Sequence, residues 1–238
     1  MDKFNNILVN GMHKFNIQLT DNQIEQFIAY CNLLVEWNNK MNLTAIKEPE
    51  EIAVKHFIDS CSILNYVKIK KNASVIDIGT GAGFPGIPLK IIRNDLNITL
   101  LDSLNKRIVF LNEVAKQLNI SITTIHGRAE EYGRKEDYRE SFDVAISRAV
   151  APLNVLSEYC IPFVKKDGKF ISMKGPNIQN EVEESKKAIK ILGGKYNNIV
   201  KFNVEDNNRS IVIVDKVSNT PFKYPRHGSK ISNKPVIG

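Results

Sequence analysis

The chain has 238 residues, of which 42% are hydrophobic and 25% are charged, a balance that excludes an intrinsically disordered protein. With about 150 residues per domain as a guide, this length predicts one α/β domain with a small appendage. The formal net charge of +7 favours a polyanionic partner.

Simple patterns exclude several further classes of protein. No apolar run approaches the roughly 18 residues of a membrane span, and the N-terminus lacks the basic and then apolar pattern of a secretory signal. We therefore expect a cytoplasmic protein without a membrane partner. Cys31, Cys61 and Cys160 stand far apart with no Cys-x-x-Cys pair, so we expect reduced, buried thiols and no metal site.

The first part of the chain has the patterning of helices. Thr20 and Gln23 match a capping box, and apolar residues then recur at i, i+3, i+4 and i+7 to about Asn39. Pro49 suits the first turn of a second helix. Residues 1–70 are therefore predicted to form a helical appendage.

From Ala73 onward, short β-branched runs alternate with helical stretches, which is typical of a doubly wound, mostly parallel sheet. Residues 205–209, which join the last two runs, are too few for a parallel crossover, so strand seven should be antiparallel to strand six. We predict a Rossmann-like domain over 71–216 and a tail over 217–238 that packs on it or extends from it. The predicted strands are 74–78, 98–101, 122–125, 142–146, 169–173, 199–204 and 210–214.

A glycine-rich loop follows the first predicted strand. Gly79 and Gly81 permit tight turns, and Asp102 ends the next strand, where a carboxylate can accept hydrogen bonds from both ribose hydroxyls. The Gly-x-Gly-x-x-Gly pattern at 81–86 is compatible with a dinucleotide. Asp77 favours S-adenosylmethionine instead, because a carboxylate repels a pyrophosphate and attracts a sulfonium and an ammonium. A methyltransferase is preferred, with an NAD-dependent oxidoreductase and a non-enzymatic RNA-binding protein as alternatives.

Ligands of such sheets lie beyond the carboxyl ends of the strands. This edge includes Ala129 and Glu130 after strand three and Arg148 after strand four. The Asn/Asp-Pro-Pro-aromatic motif of amino-methyltransferases is absent, and Cys160 lacks the Pro-Cys context of the carbon-5 cytosine enzymes. A nucleophile such as guanine N7, whose lone pair is free at neutral pH, needs positioning more than it needs a general base.

Several motifs occur in order along the chain: Trp37-Asn38-x-x-Met41-Asn42-Leu43-Thr44, His56-Phe57-Ile58-Asp59-Ser60, Asp77-Ile78-Gly79-Thr80-Gly81-Ala82-Gly83-Phe84-Pro85-Gly86-Ile87-Pro88, Leu101-Asp102-Ser103-x-x-Lys106-Arg107-x-x-Phe110-Leu111, Gly127-Arg128-Ala129-Glu130, Arg148-Ala149-Val150-Ala151 and Lys174-Gly175. With them the chain resembles, over nearly its whole length, the bacterial 16S ribosomal RNA (guanine-N7) methyltransferase family, also called glucose-inhibited division protein B. The resemblance implies a class I S-adenosylmethionine-dependent methyltransferase fold and methylation of a guanine N7 in the decoding-region loop of 16S rRNA.

The resemblance also implies roles for single residues. Gly79, Phe84, Ala129, Glu130 and Arg148 would line the cofactor pocket, and Arg148 would be the catalytic residue between cofactor and substrate. Two structural alternatives stay open, because Arg148 can form a salt bridge that orders its loop and Phe84 can wedge the glycine loop. Asp77, Gly81 and Asp102 complete the expected cofactor site on the arguments above.

Two residues of the appendage, His56 and Asp59, could face the same cleft, although a helix-packing histidine and a capping aspartate would look the same in sequence. Ser147 stands where the family usually has alanine, a change too small to alter function.

Basic and aromatic residues alternate in the tail, which carries no acid. This is the composition of a nucleic-acid arm, although a solvated tail is the alternative. We expect Lys223, Arg226, Lys230 and Lys234 to contact substrate RNA, either as 16S rRNA or within the small ribosomal subunit. We expect the protein to be a monomer.

Overall fold

A seven-stranded sheet organises the computed structural model, which describes residues 2–148 and 150–236. Ala149 of the Arg148 motif lies outside the described residues, as do residues 1, 237 and 238 of the predicted segments. The strands are β1 (Ser74–Ile78), β2 (Asn97–Asp102), β3 (Thr123–His126), β4 (Phe142–Arg148), β5 (Val164–Lys174), β6 (Gly194–Val204) and β7 (Asn207–Lys216).

The strand order is β3-β2-β1-β4-β5-β7-β6. The first five strands pair in parallel, whereas β7 is antiparallel to both of its neighbours, β5 and β6. The predicted α/β class, with a mostly parallel sheet that ends in an antiparallel strand, is confirmed. The hairpin is tighter than expected, because β6 and β7 extend towards each other until only Glu205 and Asp206 separate them.

Helices cover both faces of the sheet. One face carries α6 and α7, on which the N-terminal helices pack, and the other carries α9 and α10. No helix within the described ranges is both long and apolar enough to cross a membrane. The helices are α1 (Asp2–His13), α2 (Asp21–Met41), α3 (Pro49–Ile52), α4 (Asp59–Cys61), α5 (Ile63–Tyr66), α6 (Gly86–Ile92), α7 (Asn105–Gln117), α8 (Ala129–Tyr132), α9 (Leu153–Cys160), α10 (Gln179–Ile191) and α11 (Gly228–Asn233).

The N-terminal helices begin where their local signals lie. Thr20 caps α2, since its hydroxyl accepts a hydrogen bond from Gln23 N–H and the Gln23 side chain accepts one from Thr20 N–H. The predicted capping box is therefore confirmed. A π-helical stretch, Ala53–Ile58, lies between α3 and α4, and this widened turn was not predicted. It carries His56, and Asp59 follows it directly.

The N-terminal helices share one hydrophobic core with the sheet. Phe27 and Phe57 from the helices belong to the same buried cluster as Val75 of β1, Leu100 of β2 and Ile211 of β7. This shared core fixes the end of the π-helical stretch above the carboxyl edge of β4. The predicted limits at residues 70 and 216 stay a prediction.

Candidate active site

A cavity of about 450 Å³ opens at the carboxyl ends of β1, β2 and β4, a size typical of small-molecule sites. We call it the glycine-loop cavity. It brings together expected site residues from four separate parts of the sequence. Its lining comprises Leu43, Thr44, His56, Gly79, Thr80, Gly81, Ala82, Phe84, Asp102, Ser103, Arg107, Arg148 and Val150.

The glycine loop leaves space on one side and packs tightly on the other. Gly81 has a φ of +63°, and a Cβ atom there would meet nothing within 4 Å, so a ligand can approach its backbone closely. Gly83 has a φ of +101°, and a Cβ atom there would lie 2.6 Å from the Tyr30 hydroxyl. The Tyr30 hydroxyl donates a hydrogen bond to the Ala82 carbonyl, so α2 holds the loop in place. We call α1 to α5, with the π-helical stretch between them, the helical segment.

Asp77 lies beneath the loop rather than in the lining of the cavity. Its Oδ2 atom accepts hydrogen bonds from Thr80 Oγ1 (2.7 Å) and Gly86 N–H (2.9 Å). Its Oδ1 atom is buried without a hydrogen-bond partner. Burial raises the pKa of Asp77 to about 6, against the two hydrogen bonds. The carboxylate therefore shapes the loop, and it keeps one acceptor atom unsatisfied.

Asp102 lines the cavity with its carboxylate already engaged. Its oxygens accept hydrogen bonds from Gly81 N–H and Leu104 N–H, both at 2.9 Å. Arg107 Nη1 lies 3.1 Å from Asp102 Oδ2. The expected ribose acceptor is thus in the cavity, and Arg107 lies beside it.

Phe84 is the centre of a stack of rings. His56 stacks on it with a centroid separation of 4.5 Å, and Tyr30 lies at 5.5 Å with nearly parallel rings. The guanidinium carbon of Arg148 lies 4.9 Å from the Phe84 centroid. Phe84 is only 5% exposed yet contributes to the cavity wall, so it both wedges the loop and borders the ligand space.

Arg148, at the end of β4, is held on three sides. Nη1 donates to the Lys55 carbonyl and to Asp59 Oδ2, both at 3.1 Å, and Nη2 lies 3.2 Å from His56 Nδ1. The salt bridge that we left open for Arg148 is therefore present, and its partner comes from the helical segment. It coexists with a position in the cavity wall.

His56 accepts a hydrogen bond from Arg148 at Nδ1, so the network assigns its proton to Nε2, which lies 2.9 Å from Thr44 Oγ1. Burial, with a smaller effect from the nearby Arg148 cation, lowers the pKa of His56 to about 3. His56 is therefore neutral at physiological pH and orients Arg148 without competing with it for the carboxylate of Asp59.

A second cavity of about 380 Å³ lies on the far side of Arg148. We call it the β7-side cavity. His56 and Arg148 line both cavities and form the wall between them. The lining of the β7-side cavity comprises Ile46, Lys55, His56, Asp59, Arg148, Met173, Lys174, Gly175, Phe202, Arg209 and Ser210.

Arg209 is a site residue that sequence reasoning missed. Its Nε atom donates to Asp59 Oδ1 at 2.7 Å, so one carboxylate joins Arg209 of β7 to Arg148 of β4. Asp59 and Arg209 are 150 positions apart, and no local signal relates them. Arg107 was also missed as a site residue, although it lies within one of the motifs of the resemblance.

Lys174 fixes the loop that follows β4. Its Nζ atom pairs with Glu181 Oε1 at 2.6 Å and donates to the carbonyl of Ala151. Glu181 in turn accepts a hydrogen bond from Leu153 N–H. The end of β5 therefore restrains the described part of this loop.

Ala129 and Glu130 begin α8, directly after β3, and are not in the lining of the glycine-loop cavity. The neighbouring Gly127 N–H donates to the Asp102 carbonyl at 3.0 Å, which keeps this turn beside β2. Arg128 Nη1 lies 3.9 Å from Glu130 Oε1, too far for a hydrogen bond. A Cβ atom on Gly228 would lie 2.4 Å from the same oxygen, so the tail passes directly over Glu130.

The four expected RNA contacts of the tail have different surroundings. Lys223, Lys230 and Lys234 are exposed. Arg226 instead pairs with Glu158 of α9, whose carboxylate it contacts at 2.6 Å, and it also donates to the Lys234 carbonyl. The tail therefore packs on α8 and α9 rather than extending away from the domain.

Two further expectations concern reactive groups. Burial raises the pKa of the Cys160 thiol well above its usual range, which makes it unsuited to act as a nucleophile. Across residues 2–148 and 150–236, no three histidine, cysteine or acidic side chains gather where they could hold a metal ion. The absence of a metal stays a prediction.

Comparisons with known proteins show the fold and the family. Solved methyltransferase structures share the fold at low identity. A SAM-dependent O-methyltransferase from Thermotoga maritima has a TM-score of 0.53 at 15% identity, covering 78% of this chain and 72% of that one. The geranyl diphosphate C-methyltransferase of Streptomyces coelicolor A3(2), solved with S-adenosyl-L-homocysteine, has a TM-score of 0.53 at 11% identity, covering 66% and 78%. These likenesses concern the fold alone.

Sequence relatives are much closer. The Ribosomal RNA small subunit methyltransferase G of Desulforamulus reducens is 54% identical, covering 94% of each chain. The protein of the same name from Acetivibrio thermocellus is 53% identical, covering 98% of this chain and 97% of the relative. The GidB family profile, rRNA small subunit methyltransferase G, matches residues 23–212. The chain therefore belongs to the GidB family of rRNA small subunit methyltransferases and is an S-adenosylmethionine-dependent enzyme.

Proposed function

We propose that this enzyme transfers a methyl group from S-adenosylmethionine to N7 of a guanine in 16S rRNA. The observation that carries the proposal is the pair of cavities on either side of Arg148 and His56. A transfer enzyme needs donor and acceptor in adjacent spaces so that their reacting atoms can meet. The glycine-loop cavity suits the donor, and the β7-side cavity suits the acceptor base.

The residues of the glycine-loop cavity fit the cofactor. Gly81 leaves open space above its backbone, Asp102 offers a ribose acceptor, and the buried carboxylate of Asp77 beneath the loop suits a ligand that carries a sulfonium and an ammonium. When bound, S-adenosylmethionine supplies an electrophilic methyl group on a sulfonium. Gly79 and Phe84 would border it, and Ala129 and Glu130 would contact its adenine end.

The acceptor side needs orientation more than proton transfer, because N7 of guanine has a free lone pair. Lys174 and Arg209 add positive charge to the β7-side cavity, and Met173 and Phe202 give it apolar surface. These groups suit a flat, polar base attached to a phosphate backbone. Arg148, fixed by Asp59 and His56, would hold the base against the donor.

The test is transfer of labelled methyl to small ribosomal subunits that lack the modification, followed by mapping of the labelled nucleotide. We expect label on one guanine N7. Arg148→Ala should lose most of this activity while keeping its fold, as measured by circular dichroism. Activity of Arg148→Ala close to that of wild type would remove Arg148 from the catalytic site.

Other results would overturn the proposal itself. Label on a different base atom would replace guanine N7 as the acceptor, and absence of label despite cofactor binding would discard 16S rRNA as the substrate. Assays on free 16S rRNA and on assembled subunits, run side by side, identify the form that is methylated. We further propose that the enzyme is cytoplasmic and monomeric. Sedimentation at working concentration would check the monomeric state.

A further inference from the structure

A third cavity continues the line that begins at the glycine loop. It is an open groove of about 680 Å³ beside the β6–β7 hairpin, and we call it the hairpin groove. Phe202, Arg209 and Ser210 line both this groove and the β7-side cavity. The three cavities therefore lie in a row from the cofactor loop to the edge of the sheet, each sharing lining residues with the next. The groove is lined by Tyr66, Pro176, Asn177, Lys201, Phe202, Asn203, Asn208, Arg209 and Ser210.

The chemistry of the hairpin groove matches a single strand of nucleic acid. Lys201 supplies positive charge, Arg209 adds a guanidinium that is paired with Asp59, and the described lining contains no carboxylate. Tyr66 and Phe202 lie with ring centroids 4.8 Å apart and are only half-buried, so they provide aromatic surface. Cations that contact phosphates beside rings on which bases stack are the usual composition of such channels.

The amides of the groove add hydrogen-bonding capacity. Asn177, Asn203 and Asn208 are exposed, and each carries both a donor and an acceptor that can bind base edges or 2′-hydroxyls. Two carboxylates, Glu205 and Asp206, lie in the turn of the hairpin, and that of Glu205 is paired with Lys14 at 2.9 Å. That pairing reduces its repulsion of a phosphate.

We propose that the hairpin groove binds the nucleotide adjacent to the target guanine, so that the substrate RNA strand crosses the β6–β7 hairpin. This inference rests on the proposed function, since it places the neighbouring nucleotide next to the acceptor cavity. It assigns RNA contacts to Lys201 and Asn208, which lie outside the basic tail. Arg226 of the tail is engaged with Glu158, whereas Lys201 and Asn208 are exposed beside the acceptor cavity.

The test compares two groove variants, Lys201→Ala and Asn208→Ala, with Lys195→Ala. Lys195 is an exposed lysine of the same strand, six residues from Lys201, which is roughly 20 Å along β6. The readouts are the KM and kcat for small subunits, the Kd for S-adenosylmethionine, and the Kd for a single-stranded RNA fragment at several salt concentrations.

We expect each groove variant to raise the KM for small subunits about tenfold, the loss of one charged or polar contact, with kcat and cofactor affinity unchanged. Lys201→Ala should also lower the salt slope of RNA binding by about 0.7, the value for one phosphate of a single strand. Lys195→Ala should match wild type. Ultraviolet cross-links between wild-type protein and the RNA fragment should map to peptides that contain Tyr66 or Phe202.

The outcomes separate this inference from the proposed function. Groove variants that bind and methylate RNA like wild type overturn the groove and leave the methyltransferase function intact. An equal loss with Lys195→Ala, or cross-links confined to residues 217–236, overturns the groove as well. Groove-dependent RNA binding without label on guanine N7 supports the groove and overturns the proposed acceptor.

Discussion

Asp59 lies between two arginines that belong to different strands of the sheet. Its carboxylate is 5% exposed and contacts Arg148 through Oδ2 and Arg209 through Oδ1. The two cations stabilise the buried carboxylate between them. Removal of its charge leaves both guanidiniums without their anionic partner. The orientation of the wall between the two cavities therefore depends on a residue from the helical segment.

We predict that Asp59→Asn lowers kcat about 10- to 100-fold, because a small displacement of Arg148 is enough to misplace the acceptor. The Kd for S-adenosylmethionine should change little, since Asp59 is outside the glycine-loop cavity. Single-turnover methyl transfer and calorimetry measure the two effects. Asp206→Asn, the same change at an exposed position on the hairpin turn, is the control. Equal kcat values for the two variants would show that Arg148 does not need Asp59.

Two buried groups near the site titrate with opposite effects on stability. The pKa of His56 is lowered from 6.5 to about 3, so on acidification the unfolded chain takes up the proton first and stability is lost between these values. The pKa of Asp77 is raised from 3.8 to about 6, so the folded chain takes up the proton first and stability is gained as pH falls through 6. Between pH 6 and 4 the two effects offset each other.

We predict that Asp77→Asn removes this offset. The free energy of unfolding of the variant should fall more steeply than that of wild type from pH 6 to pH 4, with a difference of at most about 1.4 kcal/mol per pH unit. Urea denaturation of the cofactor-free protein at intervals of pH measures it. An overall loss of stability in the variant does not affect the result, because the comparison is between the slopes of the unfolding free energy against pH. Parallel curves for variant and wild type would contradict the raised pKa of Asp77.

At the scale of elements, local signals predict well and long-range contacts do not. The Thr20 capping box and the alternation of strands and helices after Ala73 depend on neighbouring residues, and both are present in the structure. The glycine loop is equally local, so its place at the end of β1 follows from the sequence. The π-helical stretch at Ala53–Ile58 has no such signal, because it depends on packing against the sheet.

The tail illustrates the same limit. Its composition indicates charge but not where the chain lies, and the partner of Arg226 is Glu158, 68 positions earlier. The Glu158 side chain is only 1% exposed, so its charge needs a cation, and Arg226 supplies it. Arg226, which the sequence predicts to be an RNA contact, therefore also anchors the tail to α9. The contact of Lys223, Lys230 and Lys234 with RNA stays a prediction.

At the scale of the whole molecule, the candidate active site lies where the helical segment meets the sheet. Phe57, fully buried, contacts the ring of Phe84 in the glycine loop as well as Phe27 and Tyr30 of α2. The wall between the two cavities likewise depends on contacts of His56 and Asp59 with Arg148 and Arg209. The core and the site both contain residues from the helical segment and from the sheet. Unfolding of either part would therefore expose buried residues of the other.

We therefore predict one cooperative unfolding transition. The single tryptophan, Trp37, lies in α2 with its ring 5.6 Å from that of Phe110 in α7, so its fluorescence reports on the contact between the helical segment and α7. Far-UV circular dichroism reports on the whole chain. The two urea curves should coincide in wild type and in Phe57→Leu, which should lose about 1–2 kcal/mol. Val9→Ala, at a 38% exposed position of α1, should shift neither curve appreciably. If Phe57→Leu moved the Trp37 transition alone, the helices and the sheet would be independent units, and the site between them would need the cofactor or RNA to bring it together.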